Sequence, residues 1–151
     1  MPRQAAIDQA RRDQREGKSA STQAGEFVRE EIDLIRRGAH GVRSTRQAIA
    51  IGLSKARRAG VPLPPPKPGA VSEKTRQKAL NDSSKARKGN AKPVSKKRSR
   101  ATLDVLRRES SEPASRAALA RQTRAAARKR SPAERSAAAR KAARTRAAHS
   151  R

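Results

Sequence analysis

Lysine and arginine are the side chains whose number and spacing could do chemistry in this sequence, and that chemistry is the binding of anions. The 151 residues contain 39 Lys and Arg against 13 Asp and Glu, which gives a net charge of +26. Each cation that meets a phosphate releases counterions, so affinity for a polyanion needs no contact with a base. DNA and RNA are the common partners of matching charge density. We therefore expect a nucleic acid as the partner.

The cations that we expect to contact phosphates fall into two groups, one beside the densest apolar segment and one in the basic C-terminal half. The predicted nucleic-acid-binding residues are Arg43, Arg46, Lys55, Arg57 and Arg58 in the first group, and Lys96, Lys97, Arg98, Arg128, Lys129 and Arg130 in the second. Residues 64–151 hold 26 Lys and Arg against six acids, whereas residues 1–63 hold 13 against seven. Most of the attraction should therefore come from the C-terminal half.

The sequence does not indicate an enzyme. Its two histidines, His40 and His149, lie far apart without a nucleophile or a metal ligand at usable spacing, and there is no cysteine. Glycine-rich phosphate loops and the common hydrolase motifs are absent from the sequence. His40 lies in a glycine-containing turn, where we expect a solvated side chain. We predict no catalytic residue, no metal, no cofactor and no small-molecule substrate.

The elements that must position these cations lie between residues 25 and 60. Phe27, the single aromatic residue by composition, shares one face of a predicted helix over about Ala24–Arg37 with other large apolar residues. Ser44 and Gln47 form an S-x-x-Q capping box that starts a second helix, ending at Ala59. Small residues on that second helix, among them Gly52, would allow a close approach. The pattern predicts a helical hairpin with a thin core.

The sequence allows two interpretations of Glu31, which lies on the predicted first helix of the hairpin. Glu31 falls within the apolar face of its helix, where it either reaches past the edge of the core or forms a salt bridge with a cation of the partner helix; we expect the first. Residues 3–16 are predicted to form a helix that precedes the hairpin. By itself this helix would be only marginally stable, because nucleation is costly and few contacts offset that cost.

The rest of the chain predicts little fixed structure. Five prolines in Val61–Gly69 indicate an extended spacer. Residues 70–100 are polar and of low complexity, which is typical of disorder. Residues 101–151 are rich in Ala and Arg, with a capping box at Ser131, but too few large apolar residues follow to form a core. The expected fold is all-α: a hairpin of two or three helices (residues 1–63), a disordered linker (64–100) and a long, largely disordered basic tail with marginal helices (101–151).

A resemblance to a known family lies in two blocks of the sequence, QAGEFVREEI at Gln23–Ile32 and STRQAIAIGLSKARRAGVPLPPPKPG at Ser44–Gly69. The chain resembles an uncharacterised bacterial family of small basic proteins, a domain of unknown function with a signature near STxQAIAIGLSKARRAG, and its tail is similar to that family's tails. The tail is also similar in composition to linker-histone tails. The resemblance implies DNA binding only loosely and brings no catalytic residue.

These observations favour one function and leave others open. With no Tyr or Trp, and with Phe27 expected in the core, the chain lacks a platform for base stacking. We therefore expect histone-like, non-sequence-specific binding, with duplex DNA favoured over RNA. The alternatives are a structural RNA or ribosome-associated protein, a helix-turn-helix with Ser44–Ala59 as recognition helix, and a protein-interaction module. The last would expose an apolar face at Phe27, Ile35 and Leu53 and would allow a homo-oligomer through the hairpin.

The expected location is the cytoplasm, at the nucleoid. No apolar run approaches the ~20 residues that a membrane span requires. The N-terminal residues lack an apolar signal core and include acids.

Overall fold

The structure is a computed structural model that describes residues 4–89 and 95–149, with no account of the His149 side chain. Its helices are α1 Gln4–Arg15, α2 Ala20–Arg36, α3 Thr45–Arg58, α4 Glu73–Arg87, α5 Lys96–Arg107, a short 3-10 helix Glu112–Ala114, α6 Arg116–Arg128 and α7 Pro132–His149. The all-α class is as predicted. The prediction of a small hairpin followed by a long, largely disordered tail is wrong, because four of these α-helices follow residue 70.

The chain divides into two compact units, residues 1–115 (the first unit) and residues 116–151 (the second unit). The centre of the first unit is the packed pair α2 and α3, which α1 and α4 flank. The second unit consists of α6 and α7.

The start and end of the central helices follow from their caps. The Oγ of Ser19 accepts a hydrogen bond from the Thr22 amide, so α2 begins earlier than predicted. Ser44 caps α3 as predicted, with its Oγ 3.2 Å from the Gln47 amide. The Gln47 side chain closes the box one residue early, on the amide of Arg43 at 2.8 Å. Gly60, with φ of +93°, takes the left-handed conformation that ends α3.

α2 and α3 approach closely enough for their backbones to touch. A Cβ atom added to Gly52 would lie 2.6 Å from the Cα of Val28, a distance that side chains do not tolerate. Glycine is therefore required at this crossing. The prediction that small residues on α3 would permit a close approach is confirmed.

The core of the first unit consists of two small clusters rather than one. The first joins α1, α2 and α3 and contains Ala6, Ala10, Ala24, Phe27, Ala56 and Val61. The second lies at the α2–α3 turn and contains Ile35, Val42, Ala48 and Ala114. Packing on Phe27 explains why α1 forms at its predicted place, although few of its own residues are large.

A segment from the predicted tail completes the second cluster. The Gly41 amide donates to the Leu106 carbonyl at 2.8 Å, and the Val42 amide donates to that of Ser110 at 2.9 Å. The Arg36 guanidinium donates to the Ala114 carbonyl at 2.8 Å. These long-range bonds order the backbone after α5, which is why the prediction of a disordered region there is wrong.

α4 is a second correction to the predicted disorder. It lies in the low-complexity stretch 70–100 and packs on α3, where Asp82 is 7% exposed. The Ser54 hydroxyl donates to Asp82 Oδ2 at 2.5 Å, and Arg58 Nε lies 3.7 Å from Oδ1. Polar contacts together with a few alanines therefore hold this helix, in place of the large apolar residues that the stretch lacks.

Candidate nucleic-acid interface

The second unit carries an array of exposed cations. Between residues 116 and 148 there are eleven Lys and Arg and one acid. Each of the eleven is exposed: Arg116, Arg121, Arg124, Arg128, Lys129, Arg130, Arg135, Arg140, Lys141, Arg144 and Arg146. Alanine, the best helix former, occupies most of the positions between them. The helices therefore hold the cations at defined spacings without needing a core of their own.

The single acid of this stretch has a structural role. The Glu134 carboxylate accepts a hydrogen bond from the Ser131 amide at 2.8 Å, while Ser131 Oγ accepts one from the Glu134 amide at 3.2 Å. This reciprocal capping box starts α7, as predicted. Placed at the positive end of the helix dipole, the carboxylate stabilises the start of α7.

Acids of the first unit, by contrast, lie beside its cations. At least eight of its carboxylates form an ion pair with a Lys or Arg. Such pairs lower the local positive potential that an external phosphate would meet. Residues 1–115 hold 27 Lys and Arg against 12 acids, and residues 116–151 hold 12 against one, so the net charge per residue is higher in the second unit even before this pairing is considered.

Lys55, one of the predicted phosphate ligands, lies in the interior of the first unit. Its Nζ donates to Glu31 Oε2 at 2.5 Å, and the Glu31 side chain is fully buried. The expectation that Glu31 reaches past the edge of the core is therefore wrong, and the alternative, a salt bridge to the partner helix, is confirmed.

His40 is the partner in this cluster that the sequence did not reveal. Its side chain is 10% exposed, and Nε2 lies 3.2 Å from the second oxygen of Glu31. Nδ1 lies 3.1 Å from the Gly41 carbonyl oxygen. The prediction of a solvated loop histidine is therefore wrong. The sequence around His40 does not indicate this contact with Glu31, because the contact forms only when the turn between α2 and α3 folds back over α2.

Arg57 and Arg58 also have partners within the fold. Arg57 is 7% exposed and donates to the Pro64 carbonyl at 3.1 Å. Burial lowers the pKa of the Arg57 guanidinium, an effect that the charge of Asp82 opposes. Arg58 donates to the Ser54 hydroxyl at 3.1 Å and remains about half exposed. Of these two, only Arg58 presents its charge to an external partner.

The remaining predicted residues are exposed. Arg43 donates to the Glu109 carboxylate at 2.8 Å, while Arg46 on α3 has no described ion pair. Lys96, Lys97 and Arg98 form the exposed first turn of α5. The second group continues with Arg128, Lys129 and Arg130, which lie at the end of α6 and just after it. The C-terminal group of predicted cations is therefore exposed, whereas Lys55 and Arg57 of the first group are largely buried.

None of the described helices combines the length and the apolar character that a membrane span needs. No group of three or more His, Asp or Glu that could hold a metal ion is found in the same part of the chain.

Comparison with known proteins finds a match in the N-terminal part of the chain. Residues 4–67 match a family of unknown function, DUF6496, and this stretch covers α1, α2, α3 and most of the proline-rich segment. Neither the curated proteins nor the solved structures contain a match. The chain is therefore similar, over its N-terminal helices, to an uncharacterised family.

Proposed function

We propose that this protein binds nucleic acid without sequence specificity, with duplex DNA as the favoured partner, through phosphate contacts made by the second unit. One observation carries the proposal: eleven exposed cations between residues 116 and 148 are accompanied by a single acid that caps a helix. The net charge of the whole chain, +26, far exceeds what solubility requires. Each phosphate contact releases counterions, so the array gives affinity that does not depend on sequence.

The accessible side chains support contacts with the backbone rather than with bases. Phe27, the single aromatic residue, is fully buried, so no Phe, Tyr or Trp is available for stacking. Proteins that bind single strands depend on such stacking for much of their affinity. A regular array of cations on helices fits the regular phosphates of a duplex. Histone-like binding of DNA is therefore favoured, and structured RNA is the competitor to be tested.

The third alternative, a protein-interaction module, has lost its supporting feature. It requires an open apolar face on the hairpin, yet Phe27 and Ile35 are fully buried and Leu53 is partly buried. α1 covers one end of this face, and residues near Ala114 cover the other. We therefore assign the first unit the role of a folded support rather than that of a docking surface.

The experiment is a salt titration of binding to duplex DNA by the full chain and two variants that each lose three charges. The test variant, R140Q/K141Q/R144Q, removes cations of α7. The control, R29Q/R76Q/R107Q, removes cations of the first unit that each pair with an acid three residues earlier. We expect the slope of log K against log salt to fall by about 2 to 3 in the test variant and by less than about 1 in the control.

Equal slopes for the two variants would contradict the assignment of binding to the second unit. A chain that does not bind duplex DNA in dilute buffer would refute the function itself. Competition with a folded RNA of equal charge distinguishes the two nucleic acids, because preferential displacement by RNA would reverse the order of partners given above.

A further inference from the structure

We infer that α7 bridges two duplexes, with Arg135 and Arg146 on the phosphates of one and Arg140 and Arg144 on the phosphates of the other. The inference rests on the proposed function and adds an activity to it, the joining of separate nucleic-acid segments. It comes from the distribution of charge around a single helix rather than from the total charge.

The cations of α7 lie on opposite sides of the helix. At 3.6 residues per turn, Arg135 and Arg146 lie within about 20° of each other around the axis. Arg140 and Arg144 lie about 140° and 180° from Arg135, and Lys141 lies about 240° from it. All five side chains are exposed. A helix that served one anionic surface would need its cations on one side only.

α6 provides the comparison within the same unit. Its residues Arg121, Arg124 and Arg128 follow an i, i+3, i+7 pattern and lie within about 60° of one another. Arg116, the first residue of α6, lies about 140° from Arg121 and about 80° from Arg124, so the single basic stripe is confined to residues 121–128. Over that stretch the cations of α6 share one side, whereas those of residues 135–146 in α7 do not.

No side of α7 is reserved for packing. Between residues 132 and 148 no described side chain is buried, and the apolar positions are alanines spread around the helix. A helix with its side chains is about 10–12 Å across. Two duplexes on opposite sides would therefore be held close together, with cations between them to screen the repulsion of their phosphates.

The direct test asks whether the full chain, bound to a biotinylated duplex on beads, captures a second, fluorescent duplex. Duplex is kept in excess over protein, so that neutralisation of the DNA charge does not cause precipitation. The one-sided variant keeps composition and charge but places the cations of α7 within about 100°. Its substitutions are A138K, A139R, R140A, K141A, A142R and R144A. The matched control keeps cations on both sides, with the substitutions A137R, R140A, K141A and A143K.

We expect the one-sided variant to bind a single duplex within about twofold of the original chain. Its capture of the second duplex should fall about tenfold, because bivalent attachment is lost, while the control captures as the original does. Equal capture by the one-sided variant would overturn the inference. The inference would also be overturned if the original chain bound the duplex on the beads but did not capture the fluorescent duplex. That result would leave the proposed function intact. Failure to bind the first duplex would instead refute the proposed function.

Discussion

Lys55 on α3 and Glu31 on α2 form an ion pair in the interior of a protein whose other cations are mostly exposed. Lys55 Nζ lies 2.5 Å from Glu31 Oε2, and the two side chains are 13% and 0% exposed. His40 approaches the second carboxylate oxygen at 3.2 Å. A buried carboxylate requires a cation beside it. The pair therefore links α2 to α3, and we expect it to determine how the two helices face each other.

Removal of the cation from this pair should be strongly destabilising. Lys55→Met leaves Glu31 buried beside a single remaining partner, and we expect a loss of about 3–5 kcal/mol in the free energy of unfolding. Combination with Glu31→Leu should recover most of this loss, because no charge then remains to be desolvated. Urea denaturation of the full chain measures both.

The control for this pair is the exposed ion pair between Arg29 and Glu26, at 3.4 Å. Arg29→Met should change stability by less than about 0.5 kcal/mol, because surface pairs contribute little. If Lys55→Met were as mild as Arg29→Met, the buried pair would not determine the packing of α2 on α3.

Gly41 should be required for the docking of the segment after α5. A Cβ atom at this position would lie 1.9 Å from the carbonyl oxygen of Glu109 and 2.7 Å from that of Ser110, so backbone must move to admit it. We expect Gly41→Ala to cost about 2 kcal/mol or more. Hydrogen exchange of the Gly41 and Val42 amides, which donate to this segment, should become faster in the variant.

Gly25→Ala is the matched control for this substitution. Gly25 lies within α2, and a Cβ atom there would meet no atom within 4 Å. Alanine in a helix is favoured over glycine by about 0.5–1 kcal/mol, so this variant should be slightly more stable than the original. Retention of full stability by Gly41→Ala would mean that the segment is not held against the turn.

The local parts of the fold could be predicted from the sequence, and the long-range parts could not. Ser44 and Ser131 mark helix starts because capping depends on neighbours three residues away. The contact of Gly41 with Glu109 joins residues far apart in sequence, and no pattern near either residue announces it. The prediction of disorder after residue 70 was wrong for a related reason. It relied on the lack of large apolar residues, whereas polar contacts such as that of Asp82 hold α4.

The same distinction applies to the candidate interface. Charge density indicated the C-terminal group of cations, and that group is exposed. Residue type alone could not separate Lys55 and Arg57 from their exposed neighbours, because burial depends on the α2–α3 crossing and on the chain that returns past Pro64. Glu31, an acid within an apolar helical face, was the one available signal that a nearby cation would be buried.

Acid should weaken the first unit partly through Asp13. Burial raises the pKa of this carboxyl, but hydrogen bonds from Lys18 and Gln9 and the charges of Lys18 and Arg12 outweigh burial, so the net pKa lies below the ordinary 3.8. A lowered pKa contributes stability above the ordinary pKa, and that contribution is lost as pH falls through the folded value. Asp13→Asn should therefore be less stable than the original near pH 7.

The difference in unfolding free energy between the original chain and Asp13→Asn should narrow as pH falls below about 4. Urea denaturation at a series of pH values measures it. Asp8→Asn is the control, since Asp8 is partly exposed and accepts a bond from the exposed Gln4 at 2.9 Å. A difference for Asp13 that stays constant down to strong acid would show that its charge state does not contribute to folding.

The start of α7 should depend on the Ser131 hydroxyl. Ser131→Ala removes the acceptor for the Glu134 amide and should cost the first turn about 1 kcal/mol, which accelerates amide exchange there about fivefold. Ser136→Ala, an exposed change one turn further on, should leave exchange unchanged or slower, because alanine is the better helix former. Hydrogen exchange over residues 132–136 measures both. If Ser131→Ala left this protection intact, the alanine-rich sequence alone would hold the cations of α7 in register, without help from the cap.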